Sequence, residues 1–201
     1  MMQPEFLFDF ASPNAYLAHK VIPQIEARTG AKFRYTPVLL GGIFKATGNQ
    51  APMIAFGNIR NKMDYEMLET RRFIARHGLD AFRMNPHFPV NTLLLMRIAA
   101  SAEIDGGLPA YMEVAYRHMW ELGSNMSDPA VVHAALKEGG LDADRLLARA
   151  QEQDAKDRLM ASTSDAVERG AFGIPTFVVG AEIFFGKNTL RDVEEEIVAR
   201  S

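Results

Sequence analysis

Residues 6–13 read Phe-Leu-Phe-Asp-Phe-Ala-Ser-Pro, and they carry the clearest signal of the fold in the sequence. Its apolar part, residues 6–10, is typical of a short buried strand. Ser12 is a favourable N-cap and Pro13 suits the first position of a helix, so we expect a helix to begin at once. Apolar residues continue at helical spacing until Gly30. The chain therefore begins with a strand, a tight turn and a helix.

A second strand and a long helical block are predicted to follow. Residues 32–39 alternate between the two faces of a strand before Gly41-Gly42 interrupts the pattern. From there to residue 165 the strand signal disappears and amphipathic helices dominate. These helices are predicted at residues 61–77, 91–104, 108–122, 129–137, 143–153 and 154–169.

The C-terminal part of the chain returns to strand character. Residues 176–179 and 183–185 are predicted strands, and Gly180-Ala181 between them indicates a hairpin turn. Residues 190–200 are predicted to form a final helix that packs on the sheet. Its expected apolar face comprises Leu190, Val193, Ile197 and Val198.

The composition excludes several classes of protein. The chain has 201 residues, of which 48% are hydrophobic and 23% charged, and this balance is typical of a globular protein that forms one domain, or one domain with an inserted second lobe. A net charge of -3 gives no broad basic field, so we expect no nucleic-acid partner and no binding to an anionic membrane surface. No apolar stretch approaches the ~20 residues that span a bilayer. No basic leader precedes the first strand, so we expect a cytoplasmic protein.

Cysteine is absent from the sequence. This absence excludes disulfide bonds, thiolate metal sites and a cysteine nucleophile. It also excludes a disulfide oxidoreductase, because that chemistry requires a protein thiolate. The five histidines show no spacing that is typical of metal ligands, so no metal site is expected. Any thiol chemistry must use a sulfur that a bound molecule supplies.

Two short motifs together suggest a thioredoxin-like fold. Residues 12–15, Ser-Pro-Asn-Ala, lie where the thioredoxin family has Cys-x-x-Cys, and residues 173–176, Gly-Ile-Pro-Thr, lie where that family has a cis proline before a strand. With its helical insertion the chain resembles the 2-hydroxychromene-2-carboxylate isomerases and the kappa-class glutathione transferases over nearly its whole length. The segments that carry this resemblance are residues 8–13, 42–49, 62–65 and 172–177.

The resemblance implies an α/β protein with two domains. A discontinuous thioredoxin-like domain, residues 1–41 and 166–201, is interrupted by an all-helical domain at residues 42–165. The resemblance also implies glutathione as the cofactor and a small aromatic carboxylate as the substrate. The expected assembly is a homodimer.

Ser12 is the candidate catalytic residue. A helix N-terminus has unpaired N–H groups and about half a positive charge, so an anion is favoured there. A serine hydroxyl that donates to a glutathione sulfur favours the thiolate over the thiol, because it binds the charged form. The resemblance implies this role for Ser12, whereas a Ser-Pro pair taken alone is typical of a helix cap.

Two further places are predicted to recognise glutathione. The resemblance implies that the Ile174-Pro175 bond is cis and that the Ile174 backbone pairs with the cysteinyl residue like an added strand. Taken alone, this proline is compatible with the start of an edge strand. Relatives have Gly-Asn/Ser-Asp-Arg after the last strand, where the γ-glutamyl end is bound. Here Asn188 replaces the acidic partner of the ammonium, and Lys187 can attract a carboxylate instead. The predicted glutathione contacts are Ser12, Ile174, Pro175, Phe185, Gly186, Lys187 and Asn188.

Substrate recognition is predicted in the segment that lines the opening between the two lobes in relatives. A carboxylate substrate requires basic and amide donors. For Lys45 and Arg60, a solvated helix face is the alternative. The candidate substrate contacts are Lys45, Asn49, Asn58, Arg60 and Lys62.

The resemblance leads to one principal function and two alternatives. The principal function is a glutathione-dependent isomerase that interconverts 2-hydroxychromene-2-carboxylate and trans-o-hydroxybenzylidenepyruvate in the breakdown of naphthalene-type aromatics. A kappa-like glutathione transferase would use the same thiolate but release a stable conjugate. A non-catalytic thioredoxin-like binding protein is the third possibility, because Lys187 and Asn188 depart from the family pattern.

Overall fold

A computed structural model describes residues 3–200 and contains a mixed sheet of four strands. The strands are β1 (Glu5–Phe8), β2 (Arg34–Pro37), β3 (Thr176–Val179) and β4 (Glu182–Phe185). Their order in the sheet is β2-β1-β3-β4. β1 is parallel to β2 and antiparallel to β3, and β4 is antiparallel to β3. The predicted β-α-β opening and the C-terminal hairpin are confirmed.

Ten α-helices and one 3-10 helix connect these strands within residues 3–200. The helices predicted between residues 61 and 169 are confirmed, with ends displaced by a few residues. None of the described helices is long and apolar enough to cross a membrane. The helices are α1 (Pro13–Thr29), α2 (Leu40–Thr47), α3 (Pro52–Ala55), α4 (Lys62–His77), α5 (Leu93–Asp105), α6 (Leu108–Trp120), α7 (Pro129–Glu138), α8 (Ala143–Arg149), α9 (Gln153–Glu168), the 3-10 helix (Lys187–Thr189) and α10 (Leu190–Ala199).

The glycine pair at residues 41–42 lies inside α2, although the sequence pattern places it before the helical block. The Leu39 N–H donates to Thr163 Oγ1 at 2.9 Å, and the Leu40 N–H donates to Asp9 Oδ2 at 2.7 Å. These long-range hydrogen bonds occupy amides that a helix start leaves unpaired. They hold the first turn of α2 in place even though it contains two residues of low helix propensity.

Two details of the predicted helices are wrong. Val198 is 60% exposed, because the buried face of α10 consists of Leu190, Val193 and Ile197. The helix predicted at residues 143–153 is also too long, since α8 ends at Arg149 and α9 begins at Gln153. Across this break the Arg149 guanidinium donates to carboxylates of Glu152 and Asp154 at 2.6 and 3.0 Å, which stabilises the turn between the helices.

One hydrophobic cluster is shared by the sheet and the helices around it. On one face of the sheet Phe6 stacks on Phe177, with ring centroids 5.2 Å apart. Trp120 of α6 is fully buried, and its Nε1 donates to Phe10 O at 2.9 Å. The predicted helical and thioredoxin-like parts thus contribute to the same core. Their division at residues 1–41, 42–165 and 166–201 stays a prediction, and residues 1, 2 and 201 of those ranges lie outside the described part of the chain.

Candidate functional site

Ser12 lies at the start of α1, in a nearly closed corner of the molecule. The chain turns there because the Ser12 N–H donates to Asp9 O at 3.1 Å. The Ser12 Oγ accepts the Ala15 N–H at 3.2 Å, which is the predicted N-cap bond. The same hydroxyl donates to Ile174 O at 3.0 Å, and the residue is only 4% exposed. We call Asp9, Ser12, Ile174 and Pro175 the site corner.

The first turn of α1 has an unpaired backbone donor. Pro13 has no N–H, and the Ala15 N–H is bound within the turn. The Asn14 N–H has no hydrogen-bond partner among residues 3–200. Unpaired amides and the aligned peptide dipoles make a helix N-terminus attractive to anions. An anion beside Ser12 can therefore receive a hydrogen bond from Asn14.

The loop before β3 meets the start of α1. Its Ile174-Pro175 peptide bond is cis, which confirms the predicted isomer. Ile174 O accepts the Ser12 hydroxyl, whereas the Ile174 N–H has no partner in the described part of the chain. Pro175 O accepts the Gly186 N–H at 2.9 Å, which ties the loop to the end of β4. Ile174 therefore offers a free donor beside Ser12.

Asp9 is a candidate positioning residue that the sequence motifs did not identify. The side chain is fully buried, and its Oδ1 accepts the Ala11 N–H at 2.9 Å and the Thr92 hydroxyl at 2.7 Å. Its Oδ2 binds the first amide of α2, Leu40 N–H. Burial raises the pKa of Asp9, against the opposing effect of these three hydrogen bonds. Asp9 thus joins the Ser12 turn to the starts of α2 and α5. The signal in the sequence that could have identified it is a carboxylate within the otherwise apolar residues 6–10.

Asn49 is brought to the loop that carries the cis proline. Its Nδ2 donates to Phe172 O at 2.7 Å, and its Oδ1 accepts the Gln50 N–H at 2.8 Å. The rings of Phe172 and Phe185 lie 4.5 Å apart and are 46% and 44% exposed. Asn49 and Phe185 therefore both flank the segment before Ile174. Their contact with a ligand stays a prediction.

Lys187 is already paired within the chain, which the sequence did not predict. The side chain is 4% exposed, and its Nζ forms an ion pair with Glu69 of α4. The ammonium also lies 5.3 Å from the centre of the Phe73 ring. Because Glu69 neutralises it, an incoming carboxylate has to compete with Glu69 for Lys187. Asn188, by contrast, is exposed, and the predicted ligand roles of both residues remain predictions.

The other predicted substrate contacts lie on or beside an exposed surface. Lys62 pairs with Glu66 at 2.7 Å, and its Nζ lies 5.6 Å from the centre of the Phe56 ring. Lys45 is exposed at the end of α2. Within residues 3–200 no hydrogen bond or ion pair joins these bases to the site corner. The segment that we call the 53–65 surface carries the exposed or half-exposed side chains of Met53, Ile54, Phe56, Asn58, Ile59, Arg60, Lys62 and Tyr65.

The chain is similar to two groups of curated proteins over most of its length. Residues 5–198 match the family described as DSBA, DSBA-like thioredoxin domain. A 2-hydroxychromene-2-carboxylate isomerase of Sphingobium xenophagum is 26% identical over 196 residues, which cover 96% of this chain and 97% of that protein. An isomerase of the same name from Pseudomonas putida is 28% identical over 193 residues, with 92% and 89% covered. Glutathione S-transferase kappa 1 of Rattus norvegicus is 25% identical over 183 residues, with 87% and 79% covered.

Solved structures have the same fold. The structure of a 2-hydroxychromene-2-carboxylate isomerase superposes with a TM-score of 0.81 at 24% identity, and the match covers 99% of this chain and 96% of that one. A probable DsbA oxidoreductase from Streptomyces coelicolor superposes with a TM-score of 0.76 at 19% identity, with 100% and 92% covered. The predicted resemblance and the thioredoxin-like fold are therefore confirmed.

Proposed function

We propose a catalytic role for this chain, which belongs to the DSBA-like thioredoxin domain family. The role is that of a glutathione-dependent isomerase that interconverts 2-hydroxychromene-2-carboxylate and trans-o-hydroxybenzylidenepyruvate. The names of the curated relatives support an enzyme of this kind. One observation carries the proposal: the Ser12 hydroxyl lies 3.0 Å from Ile174 O in a chain without cysteine. A hydroxyl, and not a thiol, thus lies where α1 meets the cis-proline loop.

In the proposed mechanism glutathione supplies the sulfur and Ser12 stabilises its thiolate. A hydroxyl that donates to sulfur binds the charged form, so it lowers the pKa of the bound thiol. The unpaired Asn14 N–H and the positive end of α1 act in the same direction. The thiol proton leaves to solvent. Ser12 forms no covalent bond in this scheme.

Glutathione is proposed to lie along the loop before β3. The free Ile174 N–H donates to the cysteinyl carbonyl, and Ile174 O accepts the cysteinyl N–H, as in an added strand. The Gly186 N–H is already held by Pro175 O, so the end of β4 lies beside this strand. The γ-glutamyl end is proposed to reach Gly186 and the exposed Asn188.

The chromene acid is a cyclic hemiketal, so its ring C–O bond has to open first: the hemiketal hydroxyl becomes the ketone and its proton passes to the phenol oxygen. When bound, glutathione would supply a thiolate that forms a C–S bond at the β carbon of this unsaturated ketone while the C=C electrons move to the carbonyl oxygen, and the reverse bond changes after rotation would release it unchanged. Ser12 and the Asn14 N–H would hold the sulfur in its charged form, and the Ile174 backbone would orient the cysteinyl residue.

The 53–65 surface supports an aromatic carboxylate as the substrate. Its exposed apolar side chains, including Phe56 and Ile59, can cover an aromatic ring. Arg60 and Lys62 can bind the carboxylate, and Lys62 would exchange Glu66 for it. The homodimer and the cytoplasmic location stay predictions, and sedimentation of the purified protein tests the first of them.

A kappa-like glutathione transferase is the second candidate, because a glutathione S-transferase kappa 1 is among the relatives. It would use the same thiolate but keep the C–S bond in a released conjugate. A non-catalytic binding protein is the third candidate. The pairing of Lys187 with Glu69 favours it, since this pair leaves the predicted γ-glutamyl site without a free charge.

An assay that follows isomerisation and free thiol together tests the proposal. The protein, glutathione and the chromene acid are mixed, and we expect spectral conversion with no loss of thiol. Thiol consumption matched to product would identify a transferase, and no reaction would reject both enzymatic functions. Ser12→Ala should lower the rate about 10- to 100-fold, because a charge-assisted hydrogen bond is lost. Ser164→Ala, which changes an exposed serine of α9, is the matched control and should leave the rate unchanged.

A further inference from the structure

The Ser12 hydroxyl has one proton, and a protein acceptor already binds it. The hydroxyl donates to Ile174 O at 3.0 Å, and its oxygen accepts the Ala15 N–H at 3.2 Å. A hydroxyl group is a single donor. It cannot donate to Ile174 O and to a bound sulfur at the same time. Stabilisation of a thiolate therefore requires that this proton leave Ile174 O.

The proton can change its acceptor without movement of the side chain. The Ala15 N–H holds the Ser12 oxygen at the helix N-cap, so rotation of the O–H bond alone redirects the proton. Ile174 O, however, then loses its partner. Ile174 is buried, and no second donor to its carbonyl is present among residues 3–200. A buried carbonyl without a hydrogen bond is unfavourable, so the rotation is opposed unless another donor arrives.

We propose that the site selects thiols whose sulfur-bearing residue carries an amide N–H, because such a thiol replaces Ser12 at Ile174 O and frees the hydroxyl for the sulfur. This inference rests on the proposed function and adds to it the chemical group that the cofactor must possess. The unpaired Ile174 N–H provides the other half of the pairing with the cysteinyl residue. Amide recognition and thiol ionisation are thus coupled through one proton.

The coupling has a direct consequence for the choice of thiol. A cysteinyl peptide brings both the sulfur and the replacing N–H. A simple thiol such as 2-mercaptoethanol brings the sulfur alone, so the Ser12 proton stays on Ile174 O and the thiol remains protonated. Reactivity of the free thiol in solution therefore does not predict its use by the protein.

Two ester analogues of glutathione test the coupling. In the first, an ester oxygen replaces the cysteinyl N–H; in the second, which is the matched control, an ester oxygen replaces the glycyl N–H. Calorimetry measures the binding of each ligand to the wild type and to Ser12→Ala. Ultraviolet absorbance of the thiolate, followed against pH, measures ionisation of the bound thiol.

For the wild type we expect the ionisation constant of the bound cysteinyl ester to be about 5- to 150-fold below that of bound glutathione, the range that an unpaired buried carbonyl implies. The glycyl ester should ionise as glutathione does. In Ser12→Ala neither ester should change the ionisation, because no hydroxyl proton remains to be released. The cysteinyl ester should also lose less affinity in the wild type than in Ser12→Ala, because the Ser12 hydroxyl still pairs with Ile174 O in the wild type, whereas that carbonyl has no donor in the variant.

Equal ionisation of glutathione and the cysteinyl ester on the wild type would overturn the inference and leave the proposed function intact. An equal loss of affinity for the cysteinyl ester in both proteins would also overturn it, because the amide would then serve binding alone. If glutathione ionises no more readily on the wild type than on Ser12→Ala, the proposed function fails and this inference fails with it.

Discussion

The site corner and the 53–65 surface are built in opposite ways. In the corner, Asp9 and Ser12 are buried, and each oxygen of their side chains has a hydrogen-bond partner. On the 53–65 surface Ile54 is 68% exposed, and Lys62 forms its ion pair with a half-exposed carboxylate, Glu66. Buried, fully paired groups hold a reacting atom in a fixed geometry, whereas exposed long side chains adapt to a ligand. This difference supports the proposal that the corner carries the chemistry and the surface selects the substrate.

Removing the carboxylate of Asp9 should have the largest effect on stability. Asp9→Ala leaves the Ala11 N–H, the Leu40 N–H and the Thr92 hydroxyl without their buried acceptor. We expect the free energy of unfolding to fall by about 3 kcal/mol, measured by urea denaturation. Asp64→Ala, at an exposed position of the 53–65 surface, is the control and should change it by less than about 0.5 kcal/mol. Similar values for the two variants would show that the buried hydrogen bonds of Asp9 contribute no more to stability than an exposed carboxylate does.

Two lysines that each pair with a glutamate of α4 should differ in their contribution to stability. Lys187 is buried and pairs with the partly buried Glu69, whereas Lys62 and its partner Glu66 are both half-exposed. Lys187→Met leaves Glu69 without its partner and should cost about 2 kcal/mol of unfolding free energy. Lys62→Met should cost less than about 0.5 kcal/mol, since exposed ion pairs contribute little. A larger loss of unfolding free energy for Lys62→Met than for Lys187→Met would show that burial of the lysine does not determine how much each ion pair contributes to stability.

Lys62→Met should instead alter substrate binding. If Lys62 holds the substrate carboxylate, its loss raises KM for the chromene acid about 10-fold and leaves kcat nearly unchanged. Steady-state kinetics at saturating glutathione measure both constants. Lys156→Met, which changes a lysine of α9 outside the 53–65 surface, is the control. A fall in kcat with KM unchanged would place Lys62 in the chemistry and not in substrate choice.

The smallest effect, of order 1 kcal/mol, is the pH dependence that two buried carboxylates give to the free energy of unfolding. Its sign is opposite for the two carboxylates. Burial raises the pKa of Asp9 above its ordinary 3.8, so the folded state keeps that proton more readily. The contribution of Asp9 to stability is therefore present below pH 3.8 and is lost as pH rises through the raised pKa. At Glu5 burial also raises the pKa, but hydrogen bonds from Thr36 and Arg169 outweigh it, and the pKa falls below its ordinary 4.5. The contribution of Glu5 is present above pH 4.5 and is lost as pH falls through the lowered pKa.

Urea unfolding between pH 3 and pH 7 measures these contributions. The stability of the wild type relative to Asp9→Asn should decrease as pH rises, and its stability relative to Glu5→Gln should decrease as pH falls. If the stability of the wild type relative to both variants changed in the same direction with pH, the hydrogen bonds and charges around Glu5 would not shift its pKa in the opposite direction to that of Asp9.

Helix ends that are set by residues next to them in the sequence could be predicted from the sequence. The start of α1 follows from Ser12 and Pro13, and its end follows from Gly30, whose φ of 72° lies in the left-handed region that favours glycine. The start of α2 could not be predicted in this way. Its first amides bind Asp9 and Thr163, which are distant in sequence, and these bonds outweigh the two glycines that follow.

The same distinction applies to the candidate site. The motifs around Ser12 and Pro175 carry their own pattern, and the structure brings them together through the hydrogen bond from the Ser12 hydroxyl to Ile174 O, which the sequence did not predict. The pairs Asp9–Thr92 and Glu69–Lys187 join residues 83 and 118 positions apart. No local pattern specifies such pairs, because they depend on how the helices pack.

A crystal structure of the protein with bound glutathione would show whether Ser12 contacts the sulfur. We predict that the sulfur lies within hydrogen-bond distance of Ser12 Oγ and the Asn14 N–H, while the cysteinyl N–H donates to Ile174 O. A complex in which the sulfur points away from Ser12, with its hydroxyl still bound to Ile174 O, would contradict the account.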